Sequence, residues 1–289
     1  MEIKNLIFFC HFGNGDIFES REFVKAWMKK VPAENYFYAH GKTPKILLDI
    51  PELKYTEVIP IMNPRKAVDL FDGNLLINTW IGRDSKYVLP GIGCVVEMHY
   101  RMHNDMLRET GLTPLRKPII EYVPKIDYLY YDIGGVMKFI EEHTEKKILI
   151  SNGPVQSCQA ENFDFTTAIT KIAEIYPQYA FIITQPTGID LPNIYYTGNI
   201  IGDVGLDLNE ISFLSLYCDT IIGRNSGPHV FAQVYDNWMD SNKAILSFTY
   251  KEIAATFVLN QPVLMKKYWS SATKTDEVVK EMIRIIERG

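Results

Sequence analysis

The sequence predicts an α/β fold built on parallel sheets. Short apolar runs alternate with amphipathic stretches along almost the whole chain of 289 residues. Several of the apolar runs end at glycine, which lets a chain turn without steric cost. Hydrophobic residues at 47% and charged residues at 22% suit large, well-solvated cores. Strands separated by helices pair in parallel through right-handed crossovers, so the alternation implies βαβ units.

The elements follow in order. IKNLIFFCH (3–11) reads as a buried strand. SREFVKAWMKKV (20–31) reads as a helix with Phe23, Trp27 and Val31 recurring on one face. ENYFYAHG (34–41) is a second strand closed by glycine, and GNLLINTWIG (73–82) another apolar run. GIGCVVEMHYRMHNDMLRETG (91–111) is helical after its glycines. Between about 112 and 134 the composition changes: three prolines, few helix signals and a closing double glycine. Proline disfavours helix at the residue before it, and extended segments of this kind mark crossings between domains. The series resumes with KKILISNG (146–153), TTAITKIAEIYPQ (166–178), YAFIITQP (179–186) and CDTIIGRNSG (218–227). TDEVVKEMIRIIERG (275–289) closes the chain as a packed helix. Two α/β halves of similar size, 1–125 and 126–289, are expected to face a central cleft.

Charge and cysteines exclude several classes. A formal net charge of −5 with no Lys/Arg run argues against a nucleic-acid partner. Cys10, Cys94, Cys158 and Cys218 are dispersed, without CxxC or Cys/His spacing, so no structural metal site is expected. NLIFFC is too short for an export signal or a membrane span. The expectation is a cytoplasmic protein with no membrane span and no nucleic acid partner.

Ligands of open α/β domains meet the carboxyl ends of strands, and four such ends carry polar residues. After the first strand come Gly13, Asn14, Gly15 and Asp16, with His11 beside them. The third glycine of a GxGxxG fingerprint is missing. Asp16 then has two readings, an exposed general base or a helix cap. In IIGRNSGPHVFAQV (221–234) a strand leads into Arg224, Asn225, Ser226 and Gly227, with Pro228 suited to a helix's first turn. Backbone N–H groups at such a start bind phosphate, and Arg224, Ser226 and His229 add donors; an ordinary capped helix with His229 packed is the alternative. Ser151, Asn152 and Gly153 suit a diphosphate or sugar, or a polar turn. Gln185, in FIITQPTG, suits a base contact, or only the turn that Pro186 and Gly188 explain. His99 and His103, four apart on a helix, lack the glutamate of HExxH and are expected on a surface or cleft-lining face.

GNGDIF after the first strand and GRNSGPHVFA late in the second half together resemble the bacterial heptosyltransferase-like glycosyltransferases of the GT-B fold. The resemblance implies two Rossmann-like domains facing a cleft, the N-terminal one for the acceptor and the C-terminal one for a nucleotide sugar. It implies Asp16 as the base, and Ser226, Gly227 and His229 as the phosphate-binding turn. It further implies transfer from a nucleotide-sugar donor to a carbohydrate or glycoconjugate acceptor, with no cofactor and no metal. The glutamate pair that many retaining members carry is not evident, which favours inversion. Alternatives are a nucleotide-sugar epimerase or hydrolase of the same fold, and a non-catalytic nucleotide- or carbohydrate-binding module.

Overall fold

The computed structural model describes residues 3–57, 66–83, 94–156, 159–252, 258 and 260–288. Cys158 and the glycines at the start of the 91–111 stretch lie outside them. The chain divides into two units, Met1–Ile126 and Asp127–Gly289.

Unit 1 contains β1 (Asn5–Phe9), α1 (Asn14–Glu19), α2 (Arg21–Lys30), β2 (Asn35–Ala39), β3 (Leu53–Thr56), β4 (Val68–Phe71), β5 (Asn74–Asn78) and α3 (Val95–Glu109). Its sheet runs β3-β2-β1-β5-β4. All pairings are parallel except that of β4 with β5. An asparagine ladder fixes the register at the strand starts. Asn5 donates to Asn74 Oδ1 at 2.7 Å and accepts from Asn35 Nδ2 at 3.1 Å. The apolar face of α2 buries Phe23, Val24 and Trp27. Trp27 Nε1 donates to His103 Nδ1 at 3.0 Å, and Phe23 stacks on His103, Tyr122 and His99 at 4.7, 5.0 and 5.4 Å. Both histidines are fully buried. This corrects the expected surface position: four-residue spacing on α3 places the rings on the helix's core face, where aromatic stacking holds them.

Unit 2 contains α4 (Gly134–Glu142), β6 (Lys147–Ser151), α5 (Thr166–Ile175), β7 (Ala180–Ile183), β8 (Ile194–Tyr196), α6 (Thr197–Ile201), α7 (Leu208–Ser215), β9 (Thr220–Arg224), α8 (Pro228–Phe231), α9 (Tyr235–Trp238), β10 (Ala244–Phe248), β11 (Lys266–Ser270) and α10 (Thr275–Arg288). Its six strands are all parallel, in the order β11-β10-β9-β6-β7-β8. Strands β6, β7, β9 and β10 are buried at every residue, which is why the first three read as continuous apolar runs; β10 is a strand that the sequence reading does not anticipate. Val278, Met282, Ile285 and Ile286 of α10 pack into the same core as Ile148, Phe181 and Leu246. Among the described residues no helix is long and apolar enough to cross a membrane.

Candidate functional site

Each sheet has a point where strand order reverses, and ligands bind outside the carboxyl ends of the strands there. In unit 1 this point lies between β1 and β5. In unit 2 it lies between β6 and β9.

At the unit 1 point, Gly13 is the N-cap of α1 and Asp16 its third helical residue. Asp16 Oδ2 accepts the Gly13 backbone N–H at 3.1 Å. The residue therefore caps the helix from inside the first turn. Its carboxyl is pushed up to about 6, chiefly by burial, against the opposing pull of the Gly13 N–H. One turn on, Glu19 is buried, and burial together with the Asp16 charge raises its carboxyl well above the ordinary carboxylate range. Cys10 is pushed up to about 12, by burial first and by the Asp16 charge second, and so remains a thiol. Beneath these groups, Tyr38 Oη lies 2.6 Å from Thr79 Oγ1 and 2.9 Å from Ser20 Oγ. Thr79 Oγ1 donates to the Phe9 carbonyl at 3.2 Å, tying the ends of β1 and β5 together.

His11 is exposed beside Asp16's helix, its ring edge-on to Trp80 at 4.5 Å. Phe12, 44% exposed, stacks on the same indole at 5.0 Å. Sequence reasoning places no function on Phe12, Thr79 or Trp80. The signal available was the polar-aromatic pair Thr79-Trp80 closing an apolar run, which marks a strand's carboxyl end.

At the unit 2 point the structure brings together Ser151, the buried last residue of β6, Asn152 and Gly153 just after it, Gln185 after β7, and Arg224 to His229 at the end of β9. Asn152 joins two of these ends. Its Oδ1 accepts from the backbone of Thr184 and Gln185 at 3.1 and 2.9 Å, and its Nδ2 donates to the Gln185 carbonyl at 2.9 Å. Gly227 has φ +44° and ψ −120°, a conformation that only glycine adopts without strain. That bend turns the chain into the single turn of α8. Ser226 N–H donates back to the Arg224 carbonyl at 2.7 Å, and His229 N–H to the Ser226 carbonyl at 3.1 Å. The Gly227 N–H and the Ser226 hydroxyl have no partner among the described residues.

Two side chains expected to contact a donor point elsewhere. Arg224 is 3% exposed, and its guanidinium lies between the rings of Phe163 and Phe165 at 4.6 and 4.7 Å. Nε donates to the Glu161 carbonyl at 2.9 Å, Nη1 to those of Asn152 and Gly153 at 3.2 and 2.7 Å, and Nη2 to that of Phe163. Four of its five N–H groups hold the 152–163 loop, so it acts as a clasp. His229 is fully buried, with Nε2 2.7 Å from Ser247 Oγ. Burial pushes the imidazole down to about 3, so it is neutral and braces the turn from beneath. Gly223 makes room for it, since a Cβ there would meet His229 Nδ1 at 3.1 Å and Ser151 Cβ at 2.6 Å. Asn225 also faces inward, accepting from Gln233 Nε2 at 2.7 Å. Gln185 is exposed.

No family model and no curated protein sequence matches the chain. Solved structures do resemble it. The glycosyl transferase family 9 protein of Veillonella parvula is similar with a TM-score of 0.59 and 11% identity, over 100% of this chain and 97% of that one. E. coli heptosyltransferase WaaC, solved with ADP, is similar with a TM-score of 0.56 and 6% identity, over 98% and 99%. E. coli ADP-heptose lps heptosyltransferase II gives 0.54 and 12%, over 99% of each chain. Similarity of this extent at such low identity is a similarity of fold: the chain has the GT-B fold of the heptosyltransferase-like glycosyltransferases.

Proposed function

We propose that the chain is a glycosyltransferase that moves a sugar from a nucleotide-sugar donor to an acceptor hydroxyl, with inversion and without a metal. The observation that carries this reading is Asp16, a carboxylate fixed at the strand-order reversal of unit 1 with its pKa raised to about 6. A general base works best with a pKa near the operating pH. In the proposed reaction Asp16 takes the proton of the acceptor hydroxyl as that oxygen attacks the anomeric carbon. The carbon–oxygen bond to the diphosphate breaks, and its electron pair leaves with the nucleoside diphosphate.

Residues 1–125 take the acceptor in this reading and residues 126–289 the donor. The Phe12–Trp80 stack offers an apolar face of the kind that packs on sugar rings. In unit 2, the Gly227 N–H and Ser226 hydroxyl receive the leaving phosphate, while Asn152, Gly153 and Gln185 line the donor side. Because α8 is one turn long, these local donors, rather than a macrodipole, supply the anion stabilisation. Arg224 and His229 support this turn without touching the donor.

A thermal-shift screen of the full chain against nucleoside diphosphates tests the donor assignment, beginning with ADP because WaaC was solved with it. A ligand at 100-fold its Kd stabilises by about 2.7 kcal/mol. Absence of any stabilisation across the panel would overturn it, and turnover of nucleotide sugar that needs no acceptor would replace transfer by hydrolysis or epimerisation.

A further inference from the structure

A groove of about 660 Å³ opens on the surface of unit 1, between one face of α2 and the irregular segment 113–122. Pro114, Leu115 and Tyr122 give it an apolar floor, and Lys29, Lys30, Arg116 and Lys117 rim it. None of the residues lining the groove belongs to α1 or to the end of β1. Helix α2 begins just after α1 and returns along the sheet to the amino end of β2, so Lys29 and Lys30 sit about 15 Å down the helix.

Its charge balance is opposite to that of the chain, which carries −5 overall. Both carboxylates lining it are already engaged. Glu22 accepts from Lys25 Nζ at 2.9 Å and from the Lys125 N–H at 3.2 Å, and Glu121 accepts from Lys125 Nζ at 2.9 Å. Lys29, Lys30 and Arg116 make no ion pair among the described residues, and Lys117 acts only through its charge on Glu121, which Lys125 already pairs. Four cations around one concavity raise its potential and repel one another until an anion enters. The second wall is also fixed in advance. Leu115, 7% exposed, donates its N–H to Asn104 Oδ1 at 2.6 Å, and its carbonyl accepts from Tyr100 Oη at 2.8 Å. This clamp on α3 holds the following Arg116-Lys117 pair in place before any ligand arrives.

We propose that this groove is a binding site for a soluble small molecule carrying two or more phosphate groups on a ring or other apolar body. The volume is that of a small-molecule site, and the floor matches the body as the rim matches the phosphates. A membrane surface fits less well. The site is concave, and among the described residues none of the exposed large apolar side chains of unit 1 lines it to enter a bilayer. The site does not depend on the transferase reading, since it uses neither Asp16 nor any residue of unit 2.

Isothermal titration of the full chain with inositol hexakisphosphate and with pyrophosphate tests it, at low and at physiological salt. One-site binding is expected, weakening by about tenfold or more as salt screens the rim. The pairs Lys29→Glu with Lys30→Glu, and Arg116→Glu with Lys117→Glu, should each weaken it more than tenfold. Lys138→Glu, an exposed lysine of α4, should leave it unchanged. Circular dichroism and nucleoside diphosphate titration of each variant show whether the fold and unit 2 are intact. No binding by the parent chain, or binding as tight as the parent's in both charge-reversed pairs, overturns the proposal. So does rim-dependent sedimentation with phosphatidylserine vesicles when neither soluble phosphate binds, which would reassign the groove to a lipid surface.

Discussion

The carboxylate of Asp16 folds back onto the backbone N–H of Gly13, 3.1 Å away. That bond fixes the side chain at the end of β1 while burial keeps its pKa near 6. A side chain held this way needs no rotamer search to reach an acceptor proton. Asp16→Asn keeps an oxygen for the Gly13 N–H and removes only the basicity. It should lower kcat for transfer by about 10²–10⁴-fold. Nucleoside diphosphate affinity, read by titration, should stay within about twofold. Unchanged kcat would remove Asp16 from the chemistry.

The same substitution should change stability in a pH-dependent way. The folded chain keeps the Asp16 proton up to about pH 6, whereas an unfolded chain loses it near 3.8. Between those values the folded state binds more protons, so stability falls as pH rises, and the whole penalty is present above pH 6. Asp16→Asn should therefore melt at a higher temperature than the parent at pH 8, and the two should converge below pH 4. Differential scanning calorimetry across that range checks it. A variant less stable at pH 8 would show that the carboxylate is not strained by its burial.

Much of the fold was legible because parallel strands buried on both faces are continuous apolar runs. KILIS, AFII and TIIGR announce β6, β7 and β9, and the apolar repeats of α2 and α10 announce their core faces. Strands β3, β4 and β11 were not legible. Two of them are four residues long, and β11 is an edge strand, KKYWS, with no buried residue. The candidate site was legible in position and not in orientation. Arg224 stands at a strand end in the sequence, but its partners lie 61 to 72 residues away, and only packing sends the guanidinium inward. His229 shows the same limit, since Ser247 on the next strand decides which way the ring faces.

The clasp role of Arg224 separates stability from ligand contact. A lysine ammonium has three donors and no plane to lie between Phe163 and Phe165. Arg224→Lys should lower the free energy of unfolding in urea by about 2–4 kcal/mol, as carbonyls of the 152–163 loop lose their partners. Nucleoside diphosphate affinity should weaken only as far as the loop bearing Asn152 and Gly153 loosens. A large loss of affinity with no loss of stability would return Arg224 to the donor.

His99 offers a test of the core. Both ring nitrogens are buried without a hydrogen bond, and burial pushes the imidazole down to about 3. An unfolded chain takes up that proton near pH 6.5 while the folded chain refuses it until about 3. Across that window the unfolded state binds more protons, so stability is lost as pH falls below about 6.5. His229, also held to about 3, and His40, held to about 4, act in the same direction. His99→Leu should flatten the acid limb by one proton, about 1.4 kcal/mol per pH unit. It should also stabilise the chain at pH 7 by about 1 kcal/mol, by removing unpaired polar atoms. An unaltered acid slope would show that His99 is charged within the fold.

Gly227 tests the turn itself. Its φ of +44° with ψ −120° is closed to residues with a Cβ, although open space surrounds the position. Gly227→Ala must therefore act through the backbone, by straining the turn or re-aiming it, at about 1–3 kcal/mol. If the Gly227 N–H receives the leaving phosphate, re-aiming it should weaken nucleoside diphosphate binding by more than tenfold. Ser226→Ala, which removes a hydroxyl and leaves the backbone as it is, should weaken binding less and should not lower Tm. Titration and calorimetry on both variants separate the two effects. Tight nucleotide binding by Gly227→Ala would move the phosphate site away from this turn.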